Sequence, residues 1–300
     1  MPSNSPIKKG PAGDAAMGDL FVVATPIGHR EDITLRALKT LATVDLIAAE
    51  DTRHTGRLLT HHHIKSRLVS LHEHNERERT PELIAQLRKG QSIALVSNAG
   101  TPSISDPGYR LVKGAIACGI RVIPIPGVSA VMTALSAAGL PTDRIVFTGF
   151  LSKKKGKRLR QLKDLAQYRG TIVIYESPRR VVELLEEARS VLGERFAAVA
   201  REMTKRHEEF IRGDLSHITR ELRERAAVKG ECTILIAGLK NENTFLTSEI
   251  RSEIQQEITA GRRSISDIVK TISKKYTLPK NEIYRMTLDI KQHRQPEKDD

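Results

Sequence analysis

Short runs that are apolar at nearly every position alternate with stretches of helical spacing through most of this chain, and few architectures admit that pattern. Residues 20–25 (LFVVAT), 46–49, 92–97 (SIALVS) and 121–125 read as strands. Residues 33–44 space Ile33, Leu35, Leu38, Leu41 and Ala42 as a helix does, with Asp32 placed as its N-cap. Residues 81–88, 109–117 and 129–138 read as further helices. A strand apolar on both faces must be covered on both, so strands of this kind separated by helices imply a parallel α/β sheet.

A second unit begins near Pro141. Residues 144–150 are extended, 157–168 form a basic helix, and 171–176 (TIVIYE) and 197–202 are strands with a helix at 181–191 between them. Residues 207–211 alternate, 215–226 are helical, and 232–239 close the unit as a strand. Two strands meet there with no helix between, which argues for a mixed sheet. Beyond residue 240 the spacing predicts three amphipathic helices (248–259, 264–276, 279–291), with a helix-turn-helix layout across 266–283. The fold class is therefore two tandem α/β domains, 19–141 and 142–239, with a small helical C-terminal extension, 240–300. The polar residues 1–18 read as a disordered tail with no apolar segment of a signal peptide.

Charge narrows the partners. Lys plus Arg is 49 against 36 acids, a net of +13. Residues 152–169 hold eight basic residues (Lys153, Lys154, Lys155, Lys157, Arg158, Arg160, Lys163, Arg169) against Asp164. Lys153, Lys154, Lys155, Lys157, Arg158 and Arg160 are the candidate contacts to a polyanion, with a solvated linker as the alternative. Tyr168 is the one aromatic of that segment that could stack on a base. The extension carries 12 basic and 10 acidic residues, so its charge alone does not point to nucleic acid. No apolar stretch reaches 18 residues, and none is expected to span a membrane. Cys118 and Cys232 are too far apart in sequence for a zinc motif and fit a reducing, cytoplasmic setting. The histidines at 61–63 and at 72 and 74 lack a completing ligand set, so no metal is expected.

The chemistry gathers just after the strands. Thr25-Pro-Ile-Gly-His29, Ala49-Glu-Asp-Thr-Arg53, residues 98–108 (NAGTPSISDPG) and Pro126-Gly-Val-Ser-Ala130 would converge on one sheet edge, where open α/β sheets bind ligands. Neither GxGxxG nor GxxxxGK[ST] follows a strand, so dinucleotide and ATP readings lack their phosphate cradle.

Together, ATPIG (24–28), AAEDTRHTG (48–56), LHEHN (71–75), AGTPSISDPGY (99–109), TALSAAGLP (133–141), YESP (175–178) and REMTK (201–205) resemble the tetrapyrrole methylase superfamily. Within it they are most similar to the bacterial enzymes that methylate a cytidine 2'-hydroxyl of 16S rRNA. The resemblance runs from about residue 20 to 239 and extends to the helical tail. It implies domains of tetrapyrrole-methylase type, S-adenosylmethionine (SAM) as methyl donor, 16S rRNA of the small subunit's decoding region as substrate, and a homodimer. Carried over residue by residue, it places Pro26, Asn98, Ala99, Gly100, Thr101, Ile104, Ser129, Ala130, Tyr175, Glu176, Ser177, Met203 and Cys232 against the cofactor. Two positions depart from the family, Asn98 where Asp is usual and His29 where Asn is usual.

Removing the proton of a ribose hydroxyl calls for a base or a nearby cation. Glu50, Asp51 and Arg53 are the expected catalytic cluster; Asp106 and His72 are the other candidates, and a helix-capping role for Asp51 stands beside the catalytic one. The rival readings are a tetrapyrrole C-methylase, a diphthine synthase-like methylase, and an RNA-binding protein whose enzyme site has decayed.

Overall fold

The structure, a computed structural model, describes residues 17–239, 242–276 and 278–292. The expected disordered tail lies, except for Met17 and Gly18, outside the described residues.

The first half runs β1 (Leu20–Val23), a 3-10 turn (Arg30–Asp32), α1 (Leu35–Thr43), β2 (Leu46–Ala49), α2 (Thr52–His61), β3 (Leu68–Ser70), α3 (Glu76–Arg88), β4 (Ile93–Val96), α4 (Tyr109–Ala117), β5 (Val122–Ile125) and α5 (Ala130–Ala138). Its strands pair in the order β3-β2-β4-β1-β5, every pair parallel. Both faces are covered: Leu83, Leu87, Leu111 and Ala115 pack on one and Ala37, Leu41 and Leu59 on the other. That is why β2 and β4 are buried at every position. From β1 the chain passes over β4 to reach β2, whereas from β4 it passes over β1 to reach β5. The crossovers thus part between β1 and β4, and a crevice opens at the carboxyl ends of those two strands.

The second half runs β6 (Ile145–Phe150), α6 (Lys155–Asp164), β7 (Thr171–Glu176), α7 (Val181–Leu192), β8 (Phe196–Arg201), β9 (Glu209–Asp214), α8 (Leu215–Arg223) and β10 (Cys232–Ile236). The order is β6-β7-β10-β8-β9, with β6 and β7 parallel and the other neighbours antiparallel, a mixed sheet. Helices α7 and α8 cover one face through Leu184, Leu185, Ala188, Leu215, Ile218 and Leu222. The other face is covered by α5, whose Val131, Ala134, Leu135 and Ala138 pack with Val173, Ala198, Ala200 and Leu235. Both sheets belong to one compact unit ending at Gly238. A separate unit begins at Leu239 and holds α9 (Glu242–Ala260), α10 (Ile265–Tyr276) and α11 (Lys280–Gln292), closed around Ile250, Ile254, Ile268, Ile272 and Ile283.

Several elements differ from expectation. Asp32 does not cap α1; it lies in the 3-10 turn, and Thr34 caps the helix by accepting from the Ala37 N–H at 3.1 Å. Helix α2 realises the capping alternative for Asp51, although no range for it was legible in the sequence, and strand β3 was not foreseen. The helix is mostly polar, with only Thr55 and Leu59 buried, and the strand is three residues long. Helix α3 begins at Glu76, ahead of Pro81, which sits inside it rather than opening it. Helix α6 stops at Asp164, short of the expected 168.

Candidate active site

Three close approaches build the crevice. Thr25 and Gly100 exchange two backbone hydrogen bonds of 2.9 Å, which ties the turn after β1 to the loop after β4. Gly127 sits where a Cβ would stand 2.9 Å from that of Ala24, so the turn after β5 lies directly on β1. At Gly28 a Cβ would come within 2.6 Å of Thr204 and Lys205, and Thr204 Oγ1 accepts the His29 N–H at 3.0 Å. These last contacts bring the loop after β8 against the first sheet's edge. His29 also caps the 3-10 turn, its Nδ1 accepting from the Glu31 N–H at 3.3 Å. An imidazole nitrogen there supplies the acceptor that an Asn carboxamide oxygen would.

The loop from Ser97 to Gly108 is held at both ends. Glu50 Oε2 accepts the Asn98 N–H at 3.0 Å, and the buried Glu76 accepts the N–H groups of Gly108 and Arg110 at the start of α4. Between them Ser103 and Ser105 adopt left-handed backbone conformations (φ 68° and 64°), which non-glycine residues seldom hold unless the surroundings fix them.

The resulting cleft has a volume of about 400 Å³, within the range of small-molecule sites. Every residue expected to contact the cofactor lines it except Pro26, whose neighbour Ile27 does so instead. Glu50, Ser105, Asp106, Phe150, Pro178, Glu231 and Thr233 complete the wall. Among the described residues, four that line the cleft are acidic and none is basic. Glu176 is buried and paired with Arg180 at 2.6 Å, and Glu231 is paired with Lys205 at 3.0 Å. Glu50 and Asp106 have no cationic partner among the described residues. Burial, then the neighbouring charges of Glu50 and Glu231, push the Asp106 carboxyl up to about 6, against a hydrogen bond from Ser97. Burial, then Asp106, pushes the Tyr175 hydroxyl up to about 12, and burial holds the Cys232 thiol neutral, also at about 12. Asn98 Oδ1 and Glu176 Oε2 are buried with no hydrogen-bond partner. Buried acceptors of this kind are costly unless something donates to them.

The expected catalytic cluster separates. Glu50 lines the cleft, whereas Asp51 and Arg53 do not. Asp51 is exposed, and its carboxylate caps α2 by accepting from the N–H groups of Arg53 (2.8 Å) and His54 (3.2 Å). Those bonds also hold its pKa below the usual carboxylate value. His72 lies outside the cleft wall.

In the chain just after the cleft residue Phe150, Lys153, Lys154, Lys155, Lys157 and Arg160 are exposed. Arg158 is not. Its side chain is 3% exposed and lies between Glu187 (2.5 Å) and Glu183 (2.6 Å), while its Nη1 donates to the carbonyls of Ser152 and Lys153. Arg158 therefore cannot serve as a phosphate contact; it fastens the lysine loop to α7. Tyr168 is partly buried against the core of the second sheet, which leaves it a reduced face for stacking. Phe150 and Glu231 were missed in the sequence, where nothing in their immediate surroundings marks them as cleft residues; Ser105 was not singled out, although it lies in the 98–108 loop placed at the ligand edge.

A description of the tetrapyrrole (corrin/porphyrin) methylase family matches residues 19–219. Ribosomal RNA small subunit methyltransferase I of Synechocystis sp. is 46% identical over 277 residues, covering 91% of this chain and 99% of that protein. Among solved structures, the methyltransferase CobJ superimposes with a TM-score of 0.57 at 18% identity, covering 74% of this chain and 94% of that one. Uroporphyrin-III C-methyltransferase from Thermus thermophilus, complexed with S-adenosyl homocysteine, gives 0.50 at 20% identity, covering 73% and 97%. At such identities these two speak for the fold. No helix among the described residues is long and apolar enough to cross a membrane.

Proposed function

We propose, for a chain that belongs to the tetrapyrrole methylases and within them to the ribosomal RNA small subunit methyltransferase I group, that it moves a methyl group from SAM to a cytidine 2'-hydroxyl of 16S rRNA. The observation that carries the reading is a segregation of charge. A cleft lined by acids, with no basic residue among those described, has in its wall Phe150, which a loop of exposed lysines follows closely in the chain. Acid suits a cationic cofactor, and base suits a phosphate backbone.

The residues present fit SAM. Glu50 and Asp106 offer uncompensated negative charge to a sulfonium and an ammonium, and Asn98 Oδ1 is an unused acceptor for a ligand N–H or O–H. Ile27, Ala99, Ile104, Ala130 and Met203 give apolar wall to the remainder. SAM supplies a methyl group already activated on sulfur. The chain's own part is to hold the ribose hydroxyl in line, exclude water and accept a proton. Asp106 is the proton acceptor that the geometry supports. It lies in the cleft, and its pKa of about 6 leaves it ionised at neutral pH yet more basic than an ordinary carboxylate. Burial, and then Glu50, keep that pKa raised, and Glu50 also anchors the Asn98 loop.

Lys153, Lys154, Lys155, Lys157 and Arg160 hold phosphates of the substrate, which in this reading is the assembled small subunit in the cytoplasm. Residues 19–141 and 142–239 act as the two domains that flank the cleft. In this reading the enzyme works as a homodimer, to which exposed apolar side chains such as Ile116 and Met132 lend support.

Transfer of labelled methyl from SAM to three acceptors tests the reading: unmodified small ribosomal subunits, the same rRNA without protein, and a tetrapyrrole. Label on the subunits supports it. Label on the tetrapyrrole alone overturns it.

A further inference from the structure

We infer that Phe150 is the stacking surface for the nucleobase whose ribose is methylated, an inference that rests on the RNA methyltransferase reading above. Methylating one ribose of a folded RNA requires that nucleotide to be drawn out of its stack and held still at the cleft. Proteins hold such bases on aromatic faces. Neither the lysine loop nor α6 contains an aromatic residue, and Tyr168 beyond them is partly buried against the core.

Phe150 is 58% exposed although it ends a strand of the second sheet and lines the cleft. Its exposure is built into the backbone. The pairing of β6 with β7 slips between Phe147 and Phe150, a bulge that leaves Phe150 opposite Tyr175. Bulges of this kind redirect side chains and are common beside active sites. Within the bulge, Gly149 has φ +64°, and a Cβ there would stand 2.8 Å from Ser105 Oγ. The end of β6 is thus pressed against the loop that carries Asp106, and the next side chain is turned outward.

The ring is supported from behind. Tyr175 lies 5.6 Å from Phe150 in a tilted contact and 4.9 Å from Phe147 edge-on, so the three aromatics brace one another. From the facing loop Ile104, 46% exposed, adds a second apolar surface to the same cleft. Three residues beyond Phe150 begin the exposed lysines, so phosphate contacts follow closely in the chain on a ring that lines the acidic cleft. A base stacked on Phe150 would bring its own ribose to the cleft mouth while its phosphates meet Lys153–Lys157. A phenyl face accepts any base, so the choice of nucleotide falls to the shape of the assembled subunit.

The test is methyl transfer to unmodified small subunits by the full chain and by F150A, F150L and F150Y, with SAM affinity from calorimetry. F150A and F150L should lower kcat/KM for the subunit by about 10- to 100-fold, and F150Y by about twofold or less, with SAM affinity unchanged. Leucine keeps apolar bulk without a π face, so an F150L enzyme as active as the parent overturns the inference. A parallel loss of SAM affinity in F150A and F150L overturns it too, making the ring part of the cofactor's wall. So does a loss of activity traced by size-exclusion chromatography to a changed oligomer. A parent chain that methylates tetrapyrrole and no RNA removes the reading beneath the inference and the inference with it.

Discussion

Asp51 and Asp106 stand at the same edge of one sheet, and their surroundings give them opposite chemistry. Asp51 is exposed and bound to two backbone N–H groups, so it stays a weak base. Asp106 is half-buried beside another carboxylate, which makes it a stronger one. Asp106→Asn should cut methyl transfer at least about 100-fold. Asp51→Asn should leave both turnover and stability close to the parent, because Asn caps a helix as well as Asp does. Since Asp106 accepts a proton only when ionised, kcat/KM should fall as pH drops through about 6. The Asp106→Asn variant should lack that limb of the pH profile. Folding runs the other way: the fold favours the neutral acid, so Asp106's contribution to stability is full below its ordinary 3.8 and is lost as pH rises through about 6. Sequence motifs could locate all these acids at the sheet edge. They could not separate a capping carboxylate from one facing the cleft, because that depends on the direction in which each backbone turns.

At the scale of elements, the lysine loop and its fastening make separate demands. Replacing Lys153, Lys154, Lys155 and Lys157 by Gln should weaken RNA binding and flatten its salt dependence. The logarithmic slope should fall by about 0.7 for each phosphate of single-stranded RNA that is no longer neutralised. SAM affinity should not change. Arg158→Met should do the reverse, destabilising the fold by about 3–5 kcal/mol in denaturant titrations because Glu187 would be left buried and unpaired. A basic run in the sequence looks uniform; only packing shows that one of its members faces inward. Glu76 plays a comparable part for the loop after β4. Glu76→Gln should cost about 1–3 kcal/mol and weaken SAM binding, since the loop that lines the cleft loses its far anchor. The strands of the first sheet were legible because they are apolar on both faces. Strand β3 was not, and α2 showed itself only through the capping alternative for Asp51, since it buries little and draws much of its order from that cap and from β3 beside it. The bulge before Phe150 left no mark in the sequence beyond a single glycine.

At the scale of the molecule, every lining residue of the cleft falls between Ile27 and Thr233, and the helical extension is a compact unit of its own. A chain ending at residue 239 should therefore bind SAM as the full chain does, which calorimetry would show. Any loss should appear only in methyl transfer to the subunit. The resemblance to methylases spans both sheets, and the sheet order explains it: the crevice lies where the crossovers part, and α5 joins that edge to the second sheet. In the proposed reading this crevice delivers a methyl group to a ribose hydroxyl of ribosomal RNA. The most direct measurement is to digest labelled small subunits to nucleosides after reaction with SAM and identify the labelled product. The parent chain should yield 2'-O-methylcytidine and Asp106→Asn almost none. Label on a base atom, or equal label from both proteins, would contradict it.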